Sequence, residues 1–196
     1  MRRNVIRTME SALLVALLMP AGMLLATETY QPPAVTSSTA NWYDVEQASN
    51  LLNEMQAQAL HVTKNIGPLQ VQEIELAWQD QGSLLERAKH HINIVGNDLV
   101  KLDQMRSKLE PWQQSLVHKI TPAVQEMVFQ TDAAIQTLNA HENRTYLATT
   151  SYPGYINQIY KNANQVANTI GTVKQYATAE EKMAELSKGN HTTAGS

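Results

Sequence analysis

Two adjacent histidines, His90 and His91, are the residues whose types and spacing come closest to those of a metal-binding site. Glu86 precedes His90 by four residues, and helical residues four apart share a face, so a carboxylate and an imidazole could bind one metal ion. A metal site needs further ligands, however, and successive helical side chains diverge by about 100°. With Leu85 at heptad position a, His90 falls on the outer face and His91 on the flank. We therefore interpret both histidines as unrelated surface residues and predict no metal site.

Cofactor binding has little support elsewhere in the chain. A dimetal centre inside a helical bundle requires Glu-x-x-His motifs that project inward, and the chain has none. Haem in the core would use methionine or histidine ligands, for which the candidates are Met55, Met105, Met127 and His118. Methionine commonly fills gaps in long bundles. We therefore favour core packing for these methionines and predict no cofactor.

Catalytic motifs are also missing from the sequence. No serine or threonine lies in a glycine-flanked nucleophile elbow, and the isolated glycines form no phosphate-binding loop. The chain contains no cysteine, which excludes thiol nucleophiles, thiolate metal sites and disulfide bonds. We therefore predict that the protein is not an enzyme and assign no catalytic residue.

Tyrosines are more suggestive, because an apolar ring with a polar hydroxyl suits contacts that are partly exposed to water. Most of the tyrosines crowd the last third of the chain: Tyr146, Tyr152, Tyr155, Tyr160 and Tyr176. We expect them to pack a loop against the end of a bundle, and contact with a ligand or another chain is the alternative. Trp42 and Trp112, near predicted helix starts, are expected to have the same packing role.

Residues 1–26 carry the pattern of an export segment. Three arginines precede an uncharged run from Ser11 to Ala26, which matches the basic and apolar regions of a signal peptide. Signal peptides usually have small residues at the first and third positions before the cleavage site. Cleavage after Ala26 would place Leu24 at the third position, so an uncleaved membrane anchor is the alternative. Both interpretations place the remainder outside the cytoplasmic membrane, in the periplasm or the extracellular space.

Composition predicts one domain that is held together by packing. A chain of 196 residues with 43% hydrophobic residues can bury one substantial core. By composition, we assign residues 27–40 to a linker, residues 41–187 to the domain and residues 188–196 to a disordered tail. The formal net charge of −3 argues against nucleic acid as a partner, because phosphates require a basic surface.

Apolar residues repeat at spacings of three and four through most of residues 41–187, which predicts amphipathic helices with heptad packing. The stripe of the first helix comprises Val45, Ala48, Leu52, Met55, Ala59, Val62 and Ile66. That of the second comprises Leu85, Ala88, Ile92, Val95, Leu99 and Leu102. That of the third comprises Trp112, Leu116, Ile120, Val124, Met127, Thr131, Ala134 and Leu138. That of the fourth comprises Tyr155, Ile159, Ala163, Val166, Ile170, Val173 and Ala177.

Glycine and capping signals predict where the first two helices end and begin. Gly67-Pro68 should end the first helix, because glycine allows a left-handed cap and proline cannot continue the helix. Residues Ser83 to Glu86 match a capping box, which predicts that the second helix begins at Gly82-Ser83. One continuous bent helix from Val71 is the alternative.

Prolines mark the remaining boundaries. Glu110-Pro111 predicts a tight turn between Lys108 and Pro111, since proline fits the first turn of a helix. Thr121-Pro122 predicts a kink or a break in the third helix, because proline removes a backbone hydrogen bond. The polar segment that precedes Pro153 predicts a loop between the third and fourth helices, and the fourth helix should follow that proline.

These patterns together predict an all-α protein: an elongated antiparallel four-helix bundle with coiled-coil-like heptads, behind an N-terminal signal peptide or anchor. The outline resembles bacterial extracytoplasmic bundle domains, including receptor sensor modules, although no specific motif carries the likeness. We expect an exported, non-enzymatic protein that acts through protein–protein contacts as a scaffold, adaptor or envelope component, with a homo-oligomer left open. The alternative is a bundle that binds an apolar small ligand or haem in its core. Membrane contact is expected only through residues 1–26, if they are not removed.

Overall fold

Helices form the secondary structure of the computed structural model, which describes residues 42–72, 75–140 and 147–191. Within these ranges the structure bounds four α-helices, in chain order α1 (Trp42–Gln72), α2 (Trp78–Gln104), α3 (Pro111–Ala140) and α4 (Tyr152–His191). A short 3-10 helix, Arg106–Lys108, lies between α2 and α3. No β-strand occurs in these ranges, so the all-α class is confirmed for the part of the chain that the structure describes.

Each helix packs against two of the others. α1 contacts α2 and α4, and α3 contacts the same two helices. The buried apolar residues of all four helices form one core cluster, and the described residues belong to one compact unit. The helices therefore form a helical bundle around a shared core.

The apolar stripe predicted for α1 is the inner face of that helix. Its first residue, Val45, is half-buried. The others are fully buried: Ala48, Leu52, Met55, Ala59, Val62 and Ile66. Spacings of three and four keep side chains on one helical face, so the whole stripe can face the core without a change of phase. The heptad prediction for α1 is confirmed.

The stripes of α2 and α4 depart from the prediction at a few positions. In α2, Asp98 takes a buried position and the neighbouring Leu99 is only half-buried. In α4, Tyr152 and Ile156 are buried in the first turns, whereas Tyr155 is half-buried. In each helix, the predicted and the observed core residues both satisfy spacings of three and four. The packing of the neighbouring helices decides which of them is buried.

The prediction that the first helix ends at Gly67-Pro68 is wrong, because α1 continues through Pro68. Proline inside a helix removes a backbone hydrogen bond and crowds the preceding turn. Beyond it, however, Leu69 is fully buried, and Gln70 Nε2 donates a hydrogen bond to Asn157 Oδ1 of α4 at 2.8 Å. Packing of the last turn against α4 offsets the local cost of the proline.

The predicted helix start at Gly82-Ser83 is also wrong. α2 begins at Trp78, after the N-cap residue Ala77, whose carbonyl accepts two backbone hydrogen bonds from the first turn. The capping-box sequence that starts at Ser83 therefore lies inside the helix. Residues 75–77 are not helical, so the alternative of one continuous bent helix from Val71 is wrong as well.

The sequence predicted a kink or a break at Pro122, and the break does not occur. α3 is a single helix with Pro122 inside it. The proline is exposed, and the preceding Thr121 Oγ1 donates a hydrogen bond to the Val117 carbonyl at 2.7 Å. The predicted start of the third helix is confirmed, since Pro111 is the first residue of α3, where a missing N–H costs little. The connection before it is longer than the predicted tight turn, because α2 ends at Gln104 and Arg106–Lys108 form the 3-10 helix.

Some predictions lie outside the described residues. These are the signal peptide or anchor at 1–26, the linker at 27–40 and the loop position of Tyr146. α4 ends at His191, within the segment assigned to the tail, and residues 192–196 lie outside the described part.

Replacing Gly96 with alanine should stabilise the bundle. Gly96 lies inside α2, and a Cβ at this position would meet no atom within 4 Å. Glycine loses more backbone entropy on folding than alanine does, so we expect the free energy of unfolding to rise by about 0.5–1 kcal/mol. Chemical denaturation followed by circular dichroism measures this change.

Gly171→Ala in α4 is the matched control. A Cβ on Gly171 would lie 2.7 Å from Gln56 Nε2, so the Gln56 side chain must move and the gain in stability should be smaller. A loss of stability at Gly96, or an equal gain at both positions, would contradict the packing described for the two helices.

Candidate functional site

Three histidines meet where α1 packs against α2. The rings of His61 on α1 and His91 on α2 are stacked, with centroids 4.9 Å apart and planes inclined by 16°. The ring of His90 lies beside that of His91, with centroids 5.5 Å apart and planes inclined by 64°. His61 and His90 are exposed, and His91 is half-buried. We call these three residues the histidine cluster.

The heptad phase correctly places His90 on the outer face and His91 on the flank. The interpretation of the two as unrelated residues is wrong, because their rings contact each other and His61 stacks on His91 from the neighbouring helix. Across the described ranges, no group of three His, Asp or Glu residues is arranged to hold a metal ion.

A short polar chain connects the histidine cluster to the outer surface of α1. His91 Nδ1 donates a hydrogen bond to Gln58 Oε1, and Gln58 Nε2 donates one to Glu54 Oε1. An amide oxygen can only accept, so the neutral form of His91 carries its proton on Nδ1. The chain therefore fixes the tautomer and the orientation of the His91 ring.

A second polar feature lies in a groove between α1 and α2. Asp98 is only 3% exposed. Its Oδ1 accepts a hydrogen bond from Lys101 Nζ at 2.8 Å, whereas Oδ2 is buried and has no partner in the described part of the chain. The groove, about 480 Å³ in volume and named here the Asp98 groove, is lined by Tyr43, Glu46, Gln47, Asn50, Leu51, Glu54, Asp98 and Lys101.

The candidate haem ligands differ in their exposure to solvent. Met55 and Met127 are fully buried, and Met105 is half-buried against the core cluster. His118 is exposed on α3. The buried methionines pack among apolar side chains, as the sequence interpretation expected for methionine.

The aromatic residues divide into packed and exposed groups. Tyr152 is fully buried, Tyr155 and Tyr160 are half-buried, and Tyr176 is exposed. Trp112 is half-buried, and its Nε1 donates a hydrogen bond to Glu110 Oε2. The packing role expected from sequence therefore applies to the start of α4 and to Trp112, but not to Tyr176.

Trp42 was expected to pack at the start of α1 and instead is 73% exposed. The adjacent Tyr43 is also exposed, and the two rings meet edge to face with centroids 6.2 Å apart. Three large side chains near the end of α4 are similarly exposed, by 64–71%: Tyr176, Met183 and Leu186. With Ala179 they are spaced three, four and three residues apart, and we call these four residues the α4 stripe.

Sequence reasoning missed His61 and Asp98. His61 precedes the core residue Val62 and carries no local motif, so its pairing with His91 depends on the register between two helices. Asp98 had a usable signal, because it lies three residues after Val95 and four before Leu102, which is heptad spacing. Leu99 satisfies the same spacing, and its apolar character made it the preferred core residue.

Comparison with known proteins identifies no relative: no protein-family model, curated protein or solved structure matches this chain. Among the helices in the described ranges, none combines the length and the apolar character needed to cross a membrane.

The histidine cluster should make stability depend on pH. Burial lowers the pKa of His91 below its usual 6.5, and repulsion from His61 and then His90 lowers it further. As the pH falls through 6.5, the unfolded chain therefore binds the proton first, and unfolding is favoured. We expect the free energy of unfolding to decrease between pH 7 and pH 5, and to decrease less in His91→Gln.

His118→Gln is the control, because it removes an exposed histidine from α3. Denaturation curves at each pH should give the wild-type pH dependence for His118→Gln and a flatter one for His91→Gln. Identical pH dependence in all three proteins would show that the cluster does not influence the proton affinity of His91.

Proposed function

We propose that the protein is an exported, non-enzymatic helical bundle that acts through contacts with other proteins, as a scaffold, adaptor or envelope component. The observation that carries the proposal is the exposed α4 stripe. The export part of the proposal rests on the basic and apolar pattern of residues 1–26, and the absence of a convergent catalytic motif in the sequence motivates the non-enzymatic part.

We infer that neighbouring helices of the bundle run antiparallel, and pairs of contacts support this arrangement, first for α1 and α4. Gln70 contacts Asn157, and Asn53 contacts Lys174. Between these two pairs the residue number falls by 17 on α1 and rises by 17 on α4. Two parallel helices would instead pair residues whose numbers rise together.

The other neighbouring helices support the same inference. Gln58 pairs with His91, and the earlier residue Asp44 pairs with the later residue Lys108. On α2 and α3, Lys89 pairs with Asp132. Gly82, which precedes Lys89, lies against Leu138, which follows Asp132.

This register would place the exposed aromatic residues of α1 beside the α4 stripe. Continuing from the Asn53–Lys174 pair brings Trp42 level with Glu185, between Met183 and Leu186. Single exposed apolar residues are ordinary, but a group of them at one location is typical of a contact surface. We infer that Trp42, Tyr43 and the α4 stripe form one contact surface at this end of the bundle.

The spacing of the α4 stripe indicates what kind of partner fits it. Residues spaced by three and four form a straight seam along a helix, which is the pattern that another amphipathic helix packs against. Tyrosine and tryptophan are frequent anchors in protein interfaces. The proposed partner is therefore an amphipathic helix of another envelope protein.

Replacing Tyr176, Met183 and Leu186 together with alanine should strongly weaken partner binding without unfolding the bundle. Surface substitutions usually change stability by no more than about 0.5 kcal/mol, and loss of interface anchors weakens binding by about tenfold or more. Crosslinking in the native envelope, followed by purification and mass spectrometry, measures recovery of each partner relative to the wild type.

Phe129→Ala is the matched control, since Phe129 is 64% exposed on α3. A partner captured by the wild type and by Phe129→Ala, and lost with the triple variant, supports the proposal. Equal recovery with all three proteins contradicts it. Size-exclusion chromatography of the same variants shows whether the partner is a second copy of this chain.

A further inference from the structure

We propose that the Asp98 groove binds a linear organic polyamine, a chain of methylene groups that carries two or more ammonium groups. The groove shares Tyr43 with the proposed contact surface, but no residue of the α4 stripe lines it, and the inference does not depend on the proposed protein contacts. Three properties of the groove support it: an incompletely paired buried carboxylate, a row of polar acceptors and an apolar wall.

Asp98 is the anchor of the proposed site. Only one of its carboxylate oxygens has a partner, the ammonium group of Lys101, and the other is buried without one. Leaving a buried charged acceptor without a hydrogen bond is unfavourable. An ammonium group carries three donors, so a ligand ammonium that replaces that of Lys101 can donate to both carboxylate oxygens.

Glu46, Asn50 and Glu54 form the row of acceptors. They are spaced by four residues on α1, so they lie along one face of the helix, and all three line the groove. The two glutamates are about 12 Å apart along the helix axis, at 1.5 Å per residue. In the part of the chain that the structure describes, neither glutamate forms an ion pair. A polyamine has several cationic centres along its length and can pair with both glutamates and with Asp98.

Tyr43 and Leu51 supply the apolar wall of the groove. Methylene groups between the nitrogens of a polyamine can cover these side chains, and the aromatic face of Tyr43 also attracts a cation. A hydrated metal ion gains nothing from such a wall. Together with the absence of a three-ligand cluster in the described ranges, the wall favours an organic cation over a metal ion.

Lys101 shows how the site is occupied when no ligand is bound. Its side chain is itself an alkyl ammonium that lies against Asp98, yet the side chain is 57% exposed. An exposed lysine is flexible and holds its partner only weakly. In the proposed complex, a ligand ammonium group replaces that of Lys101 beside Asp98, so Lys101 acts as an intramolecular competitor.

Titration calorimetry of the full chain with spermidine at low ionic strength tests the proposal. We expect saturable binding of one molecule per chain, with affinity falling from spermidine to putrescine to propylamine. Asp98→Asn should weaken spermidine binding by about tenfold, because a charge-assisted contact is lost. Lys101→Gln should tighten it by about twofold to fivefold, because the competitor is removed.

The Lys89–Asp132 pair supplies matched controls, since it joins the same residue types on α2 and α3 at 2.9 Å. Asp132→Asn and Lys89→Gln make the same changes in net charge and should leave spermidine affinity within about twofold of wild type. Equal effects of Asp98→Asn and Asp132→Asn would overturn the proposal, because they would indicate general attraction to an acidic protein.

A second pair of variants keeps the test decisive if Asp98→Asn does not fold. Glu54 and Glu86 are both exposed, but only Glu54 lines the groove. Glu54→Gln should weaken spermidine binding by about threefold and Glu86→Gln should not change it. The proposal is overturned if spermidine gives no saturable binding, if these two variants behave alike, or if Mg²⁺ displaces putrescine at equal concentration.

Discussion

The burial of four apolar stripes against one another is the interaction on which the rest of the structure depends. Each helix alone would leave its stripe in water, and only the other helices can cover it. The chain has no cysteine, so no disulfide supplements this packing.

Buried amides fix the helix starts within the same core. Gln113 Nε2 of α3 donates to the Val45 carbonyl of α1, and Gln81 Nε2 donates to the Leu76 carbonyl before α2.

The helices and their inner faces could largely be predicted from the sequence, because spacings of three and four are a local property of the chain. The stripe of α1 from Ala48 to Ile66 is the clearest case. Helix ends were harder to predict. The cost of Pro68 arises within its own turn, whereas the compensating burial of Leu69 comes from other helices, and a local pattern carries no information about that packing.

The polar sites could not be predicted for a related reason. His61 and His91 become neighbours only because α1 and α2 pack in one particular register, and neither residue lies in a motif that specifies it. Asp98 fits the heptad spacing of α2 as well as Leu99 does, so hydrophobicity favoured the wrong residue. Interhelical packing therefore determines which polar side chains become neighbours or are buried, whereas local periodicity determines which segments are helical.

The last turns of α4 gain less stability from packing than the rest of the bundle does. Every residue from Thr178 to Ser187 is exposed, so this part of the helix gains no core burial. Isolated helices shorter than about 12–15 residues are marginal in water, and amide hydrogens here should exchange by local fraying rather than by global unfolding. A partner that binds this segment must also supply its ordering free energy, which favours rapidly reversible association over permanent assembly.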